Sequence, residues 1–193
     1  MGLDMYLSAQ RFISGYSFSK KSETTDYEAI IKQFGIKGST EAPSATVSIN
    51  IGYWRKANAI HGWFVRECGG GVDECQPIYV PREKLLELRN LCLASLANRP
   101  RVLEPSVRST VSVNPKSGEE LMKAITDEWT VQTHEAELNN EDDTDPLRPT
   151  GGFFFGSTAR DEWYYEDLSN TVEIINEALA IPENWMFEYR ASW

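Results

Sequence analysis

Polar and apolar positions change period several times along this chain, and each change marks an element. Leu3, Met5 and Leu7 alternate with Asp4 and Tyr6, the period-2 pattern of a short strand over Leu3–Leu7. Ser14–Ser22 is polar and reads as loop. Thr24–Phe34 takes the helical period: Tyr27, Ile30, Ile31 and Phe34 form one stripe, Thr25 or Asp26 stands where a cap is wanted, and Gly35 follows the last apolar residue. Ala45, Val47, Ile49 and Ile51 alternate again and predict a strand. From Tyr53 to Cys68 the pattern predicts a central helix, with Tyr53, Ala57, Ile60 and Phe64 as its buried stripe. Trp54, Asn58, His61 and Val65 flank that stripe, so Asn58 and His61 lie one turn apart and can address one point.

Gly69–Gly71 stops this helix, and Pro77–Val80 reads as a short extended piece. Pro81 suits the first position of a helix over Arg82–Leu96. Leu86 and Leu93 widen its stripe of Leu85, Leu88, Cys92 and Leu96, which implies burial on more than one side. Phe153–Gly156 has the unbroken apolar pattern of a strand buried on both faces. Asp161 can cap a helix running to Leu179, whose stripe is Tyr164, Leu168, Val172, Ile175 and Leu179. Met186–Tyr189 alternates as a last strand. The fold expected is α+β: a small, mainly antiparallel sheet packed on one side by three helices, at Tyr53–Cys68, Arg82–Leu96 and Asp161–Leu179. Both terminal strands should join it.

Charge changes this picture in one place. The 193 residues carry a net −10, and Glu119–Arg148 alone contributes ten acidic and two basic residues. The body is therefore close to neutral. That argues against direct nucleic-acid binding, which needs a basic face to neutralise phosphates. Residues 99–148 read as an insertion in a single domain spanning 1–193. Thr110–Val113 is a candidate minor strand, Glu119–Trp129 a candidate helix, and 135–149 a mobile acidic loop. No apolar run is long enough to cross a membrane, and Met1–Leu7 lacks the basic and apolar regions of a secretory signal. Cys68, Cys75 and Cys92 match no common zinc spacing and read as reduced thiols of a cytoplasmic protein.

Three blocks carry a resemblance. They are the opening Met-Gly-Leu-Asp-Met-Tyr-Leu, the block Tyr53–His61 with Trp63-Phe64-Val65, and Gly152–Thr158 followed by Asp161–Tyr164 and Glu166-Asp167-Leu168. Together with the aromatic C-terminus they resemble a family of uncharacterised proteins encoded by bacteriophages and prophages. The resemblance covers 1–98 and 149–193 in pieces. It implies a cytoplasmic protein of an infected or lysogenic bacterium, and no reaction.

The candidate site lies where the central helix meets the turn before the last one, with Arg55, Asn58 and His61 facing Asp161, Glu162 and Trp163. Charged, amide, imidazole and indole groups occur together there between apolar segments, a mixture that suits a concave pocket. His61 is a candidate general base with Asn58 orienting it; alternatively it is a helix-flank imidazole bonded to a neighbouring element. Arg55 and Lys56 can hold an anion at a helix start, or pair with Asp161, Glu162, Glu166 and Asp167 in a salt-bridge network. Those carboxylates fit a solvated helix face better than a metal site, so neither metal nor cofactor is expected. No phosphate loop and no nucleophile elbow is present. The leading expectation is a phage accessory protein that binds a host protein or a small ligand without catalysis. The alternatives are a phosphoester or nucleotide hydrolase using His61 with Asp161 or Glu162, and an acidic nucleic-acid mimic.

Overall fold

A computed structural model describes residues 2–101, 103 and 144–193. Four strands, β1 (Asp4–Ser14), β2 (Ser44–Arg55), β3 (Ile78–Val80) and β4 (Met186–Ser192), form one antiparallel sheet in the order β2-β1-β4-β3. Among the described residues four helices accompany it: α1 (Lys21–Phe34), α2 (Asn58–Glu67), α3 (Arg82–Ala97) and α4 (Glu162–Ala180). The architecture is α+β, and both terminal strands lie in the middle of the sheet.

The alternation in β1 explains the layering. Met5, Leu7, Ala9 and Ile13 are buried on the helix side, while Tyr6 and Phe12 are exposed on the other. The same core-facing row continues in Trp54 of β2 and in Phe187, Tyr189 and Ala191 of β4. Burying one such large side chain stabilises the fold by roughly 1.5–3 kcal/mol. α2 fills the centre: every residue from Asn58 to Val65 is buried, so this helix is wrapped by protein all round. Gly62 makes that possible. A Cβ there would run into the Thr150 side chain and the end of the Arg66 side chain, so the glycine lets the 150 segment come close without displacing them.

The central helix begins later than its stripe suggests. Tyr53, Trp54 and Arg55 belong to β2, and the alternation of buried Gly52 and Trp54 with exposed Tyr53 and Arg55 holds to the end of the strand. Hydrogen-bond pairing with β1 overrides a pattern that fits either period over so few residues. Lys56, at φ 61°, turns the chain from strand into helix. Trp54 then faces inward and donates from Nε1 to Thr171 Oγ1 at 2.9 Å.

Other boundaries also move. β1 runs on through Ser14, far past Leu7, because β2 offers it a partner along its whole length. α1 starts at Lys21; the hydroxyls of Thr24 and Thr25 bond back to the Lys21 carbonyl and do not cap. Gly35 ends it in the left-handed conformation, as its position suggested. Phe153–Phe155 is a turn and not a strand: Phe153 is exposed, Phe154 packs half-buried against the core, and Phe155 is buried in it. Pro81 is the residue before α3, and Leu86 and Leu93 are exposed among the described residues, so only the Leu85, Leu88 and Cys92 row is fully buried.

The mobile loop expected over 135–149 does not include its last residues; 135–143 lie outside the described residues. Leu147 is fully buried, Tyr164 Oη donates to its carbonyl at 3.1 Å, and Arg160 pairs with Asp145 at 2.7 Å. Residues 145–149 are therefore part of the body, and cutting them out would open the core. The candidate strand Thr110–Val113 and helix Glu119–Trp129 lie outside the described residues. No helix among the described residues is long and apolar enough to cross a membrane.

Candidate functional site

The six residues expected to converge divide into separate places. Asn58 and Asp161 come together at one small cavity where α2 and α4 start. His61 lies deeper, Arg55 stays on the strand, and Glu162 and Trp163 face outward.

Asn58 is buried and its amide is fully engaged. Nδ2 donates to the carbonyls of Ser157 at 2.7 Å and Phe155 at 3.2 Å, while Oδ1 accepts from the Thr150 N–H at 3.3 Å. It pins both ends of the Thr150–Ser157 turn to the first residue of α2. Phe155, held this way, sets its ring edge-on against His61 at 4.9 Å.

His61 links three elements. Its Nε2 lies 2.9 Å from Asp73 Oδ2, and its Nδ1 lies 2.7 Å from the Tyr189 hydroxyl. With the ring proton on Nε2, the imidazole donates to Asp73 and accepts from Tyr189. Asp73 also accepts from Trp193 Nε1 at 3.3 Å. The chain Trp193–Asp73–His61–Tyr189 thus ties the C-terminal strand to α2 and to the loop after it. His61 and Tyr189 are each 1 % exposed. Burial pushes the Tyr189 hydroxyl well above its ordinary pKa, so it stays a neutral donor. An imidazole with both nitrogens occupied and no access to solvent does not serve as a general base for a diffusing substrate.

Arg55 pairs in register with Asp4 across the sheet and does not meet the carboxylates of α4. Glu162 forms its ion pair with Arg99 at 3.0 Å on the surface. The expected network between Arg55, Lys56 and the acidic start of α4 is absent among the described ion pairs. The reason is the strand assignment of Arg55, which turns its side chain away from the helix layer.

The cavity itself is lined by Lys56, Asn58, Ala59, Ser157, Asp161 and Asp167, among others. Asp161 caps α4, its Oδ1 accepting from the Tyr164 N–H at 3.1 Å, as the sequence suggested. Lys56 and Gly156, both at positive φ, face each other at the rim. No group of three or more metal-ligating side chains occurs among the described residues.

A second surface was not singled out as a site by sequence reasoning. The sheet face opposite the helices carries no described element. Register places Tyr6 beside Tyr53 and Arg190, Ser8 beside Asn50 and Glu188, Gln10 beside Ser48 and Met186, and Tyr79 beside Glu188. The Tyr6 and Tyr53 rings lie 5.4 Å apart, and Tyr53 Oη donates to Asp4 Oδ1 at 2.5 Å. That bond, with burial a smaller cause, raises the Tyr53 pKa. The signal in the sequence was the aromatic residue at alternate positions of a strand, which looks the same whether the outer face is covered or bare.

Comparison with protein-family models, with curated proteins and with solved structures returned no match to this chain.

Proposed function

We propose that this protein acts by non-catalytic binding, and that its partner is a protein held on the open face of the sheet. One observation carries this reading: Tyr6, Tyr53, Tyr79, Phe12 and Met186 are between 36 % and 61 % exposed on one rigid surface, interleaved with Ser8, Ser48, Asn50, Gln10 and Arg190. Tyrosine supplies large contact area at small entropic cost, and serine and asparagine supply adaptable hydrogen bonds, the mixture of protein-binding paratopes. Aromatic and arginine side chains dominate binding hot spots. Asp4 and Glu188 offset Arg55 and Arg190, so the face offers no net positive charge for phosphates. The resemblance to phage and prophage proteins supports a host-cell protein as the partner.

The hydrolase reading has no support in the geometry, because His61 is buried and engaged, and Asp161 and Glu162 serve a helix cap and a surface ion pair. The mimic reading rests on a segment outside the described residues.

The test is capture from bacterial lysate on the immobilised full chain, with and without Tyr6→Ala/Tyr53→Ala, followed by native mass spectrometry. The expected result is a specific protein retained by the parent chain and lost from the variant while its circular dichroism is unchanged. Capture that is indifferent to the double substitution would place the interface elsewhere, and a retained small molecule with no protein would replace the reading.

A further inference from the structure

The cavity between the starts of α2 and α4 contains an unmet bonding demand. Asp161 is 2 % exposed, and while its Oδ1 caps α4, its Oδ2 is buried with no partner among the described residues. A buried carboxylate oxygen left without a donor is costly. The opposite wall has the complementary deficit. α2 has no side-chain cap; the Asn58 N–H turns back to the Lys56 carbonyl and the His61 N–H reaches Ala57, but the N–H groups of Ala59 and Ile60 between them have no acceptor among the described residues. Ala59, Ile60 and Asp161 all line the cavity. About 10 Å³ of it is open to the centre of a water molecule, room for one such group.

We infer that this cavity is a binding site for a single neutral hydroxyl group, which donates to Asp161 Oδ2 and accepts from the start of α2. Charge selects the class. An anion would suit the helix start but meet Asp161 and Asp167, while a cation would suit the carboxylates but meet the positive end of α2 and Lys56. A hydroxyl satisfies both walls at once. Its source is water in the free protein, and the hydroxyl of a small alcohol can take the same seat. The site is independent of the open sheet face.

The experiment uses the full chain. A high-resolution crystal structure grown without alcohols should show one isolated peak within hydrogen-bond distance of Asp161 Oδ2 and of an α2 N–H. Oxygen-17 relaxation dispersion should count one long-lived water fewer in Ala159→Val, which fills the space, and a changed residence time for that water in Asp161→Asn, which keeps a capping oxygen but turns the acceptor Oδ2 into a donor. Titration with methanol should shift the Ala59 and Ile60 amide resonances in a saturable way if an alcohol exchanges with that water; linear drift leaves water as the occupant. An empty cavity with no change in long-lived water in either variant would overturn the inference. So would a peak with metal–oxygen distances or a bound anion. If Asp161→Asn does not fold, Ala159→Val and the crystal density still decide.

Discussion

The two faces of the sheet are made from the same strands, and they solve different problems. On the covered face, Met5, Leu7, Trp54 and Tyr189 lose all contact with water, and each polar atom they bring finds a partner: Trp54 bonds Thr171 and Tyr189 bonds His61. On the open face, Tyr6, Tyr53 and Tyr79 keep a third or more of their surface in solvent, and the side chains of Ser8 and Asn50 beside them bond to each other at the surface. The contrast teaches where to look for function. The imidazole and amide that seemed the most chemical groups of the chain are spent on the covered face holding elements together. The open face spends little on folding, which leaves it free to bind.

Substitutions should separate the faces by size of effect. Trp54→Ala removes a fully buried indole and takes away the donor to Thr171 Oγ1, which keeps its own bond to the Asp167 carbonyl, and should cost about 3–5 kcal/mol. Urea unfolding measures it, and a loss below about 1 kcal/mol would mean that the β2 end is not packed as described. Asn58→Ala and His61→Ala come next. Asn58→Ala strips the Ser157 and Phe155 carbonyls of their side-chain donor, and His61→Ala leaves the buried Tyr189 hydroxyl without its partner while half-buried Asp73 keeps Trp193, so each should cost roughly 1–3 kcal/mol. Binding by the folded fraction should be preserved, since neither residue reaches the open face; full stability with lost binding would return these two residues to the candidate site.

Alkaline pH probes the covered face without mutation. Burial raises Tyr164 to about 12 and Tyr189 well above its ordinary value. Groups with raised folded pKa values contribute stability that is fully present below the unfolded value of 10.0 and is lost as pH rises through the folded one. The melting temperature should therefore decline as pH climbs above about 10. A flat melting curve between pH 9 and 11.5 would contradict the burial of these hydroxyls. The smallest stability effect belongs to Tyr6→Ala and Tyr53→Ala. Losing a cross-strand aromatic contact costs about 0.2–1 kcal/mol, so these variants should melt near the parent while losing the partner. A loss comparable to Trp54→Ala would show the open face to be covered after all.

The chain by itself determined the class of fold and the strands at both ends, because alternation in Leu3–Leu7 and Met186–Tyr189 admits only one buried face. It determined the cap of α4 at Asp161 and the end of α1 at Gly35, since both depend on local chemistry. It drew Asn58 and Asp161 to one place but misjudged the company they keep. Tyr53–Arg55 fits helix and strand equally until β1 supplies hydrogen-bond partners, and that pairing alone sends Arg55 to the strand edge, away from the carboxylates of α4. The partners of His61 were equally out of reach of periodicity: Asp73 is 12 residues away and Tyr189 is 128 residues away, and neither stands in a spacing that local geometry favours. Which sheet face stays open is likewise a tertiary outcome. A strand's alternation says that its two faces differ; the placement of whole helices decides which face is buried and which is left to solvent.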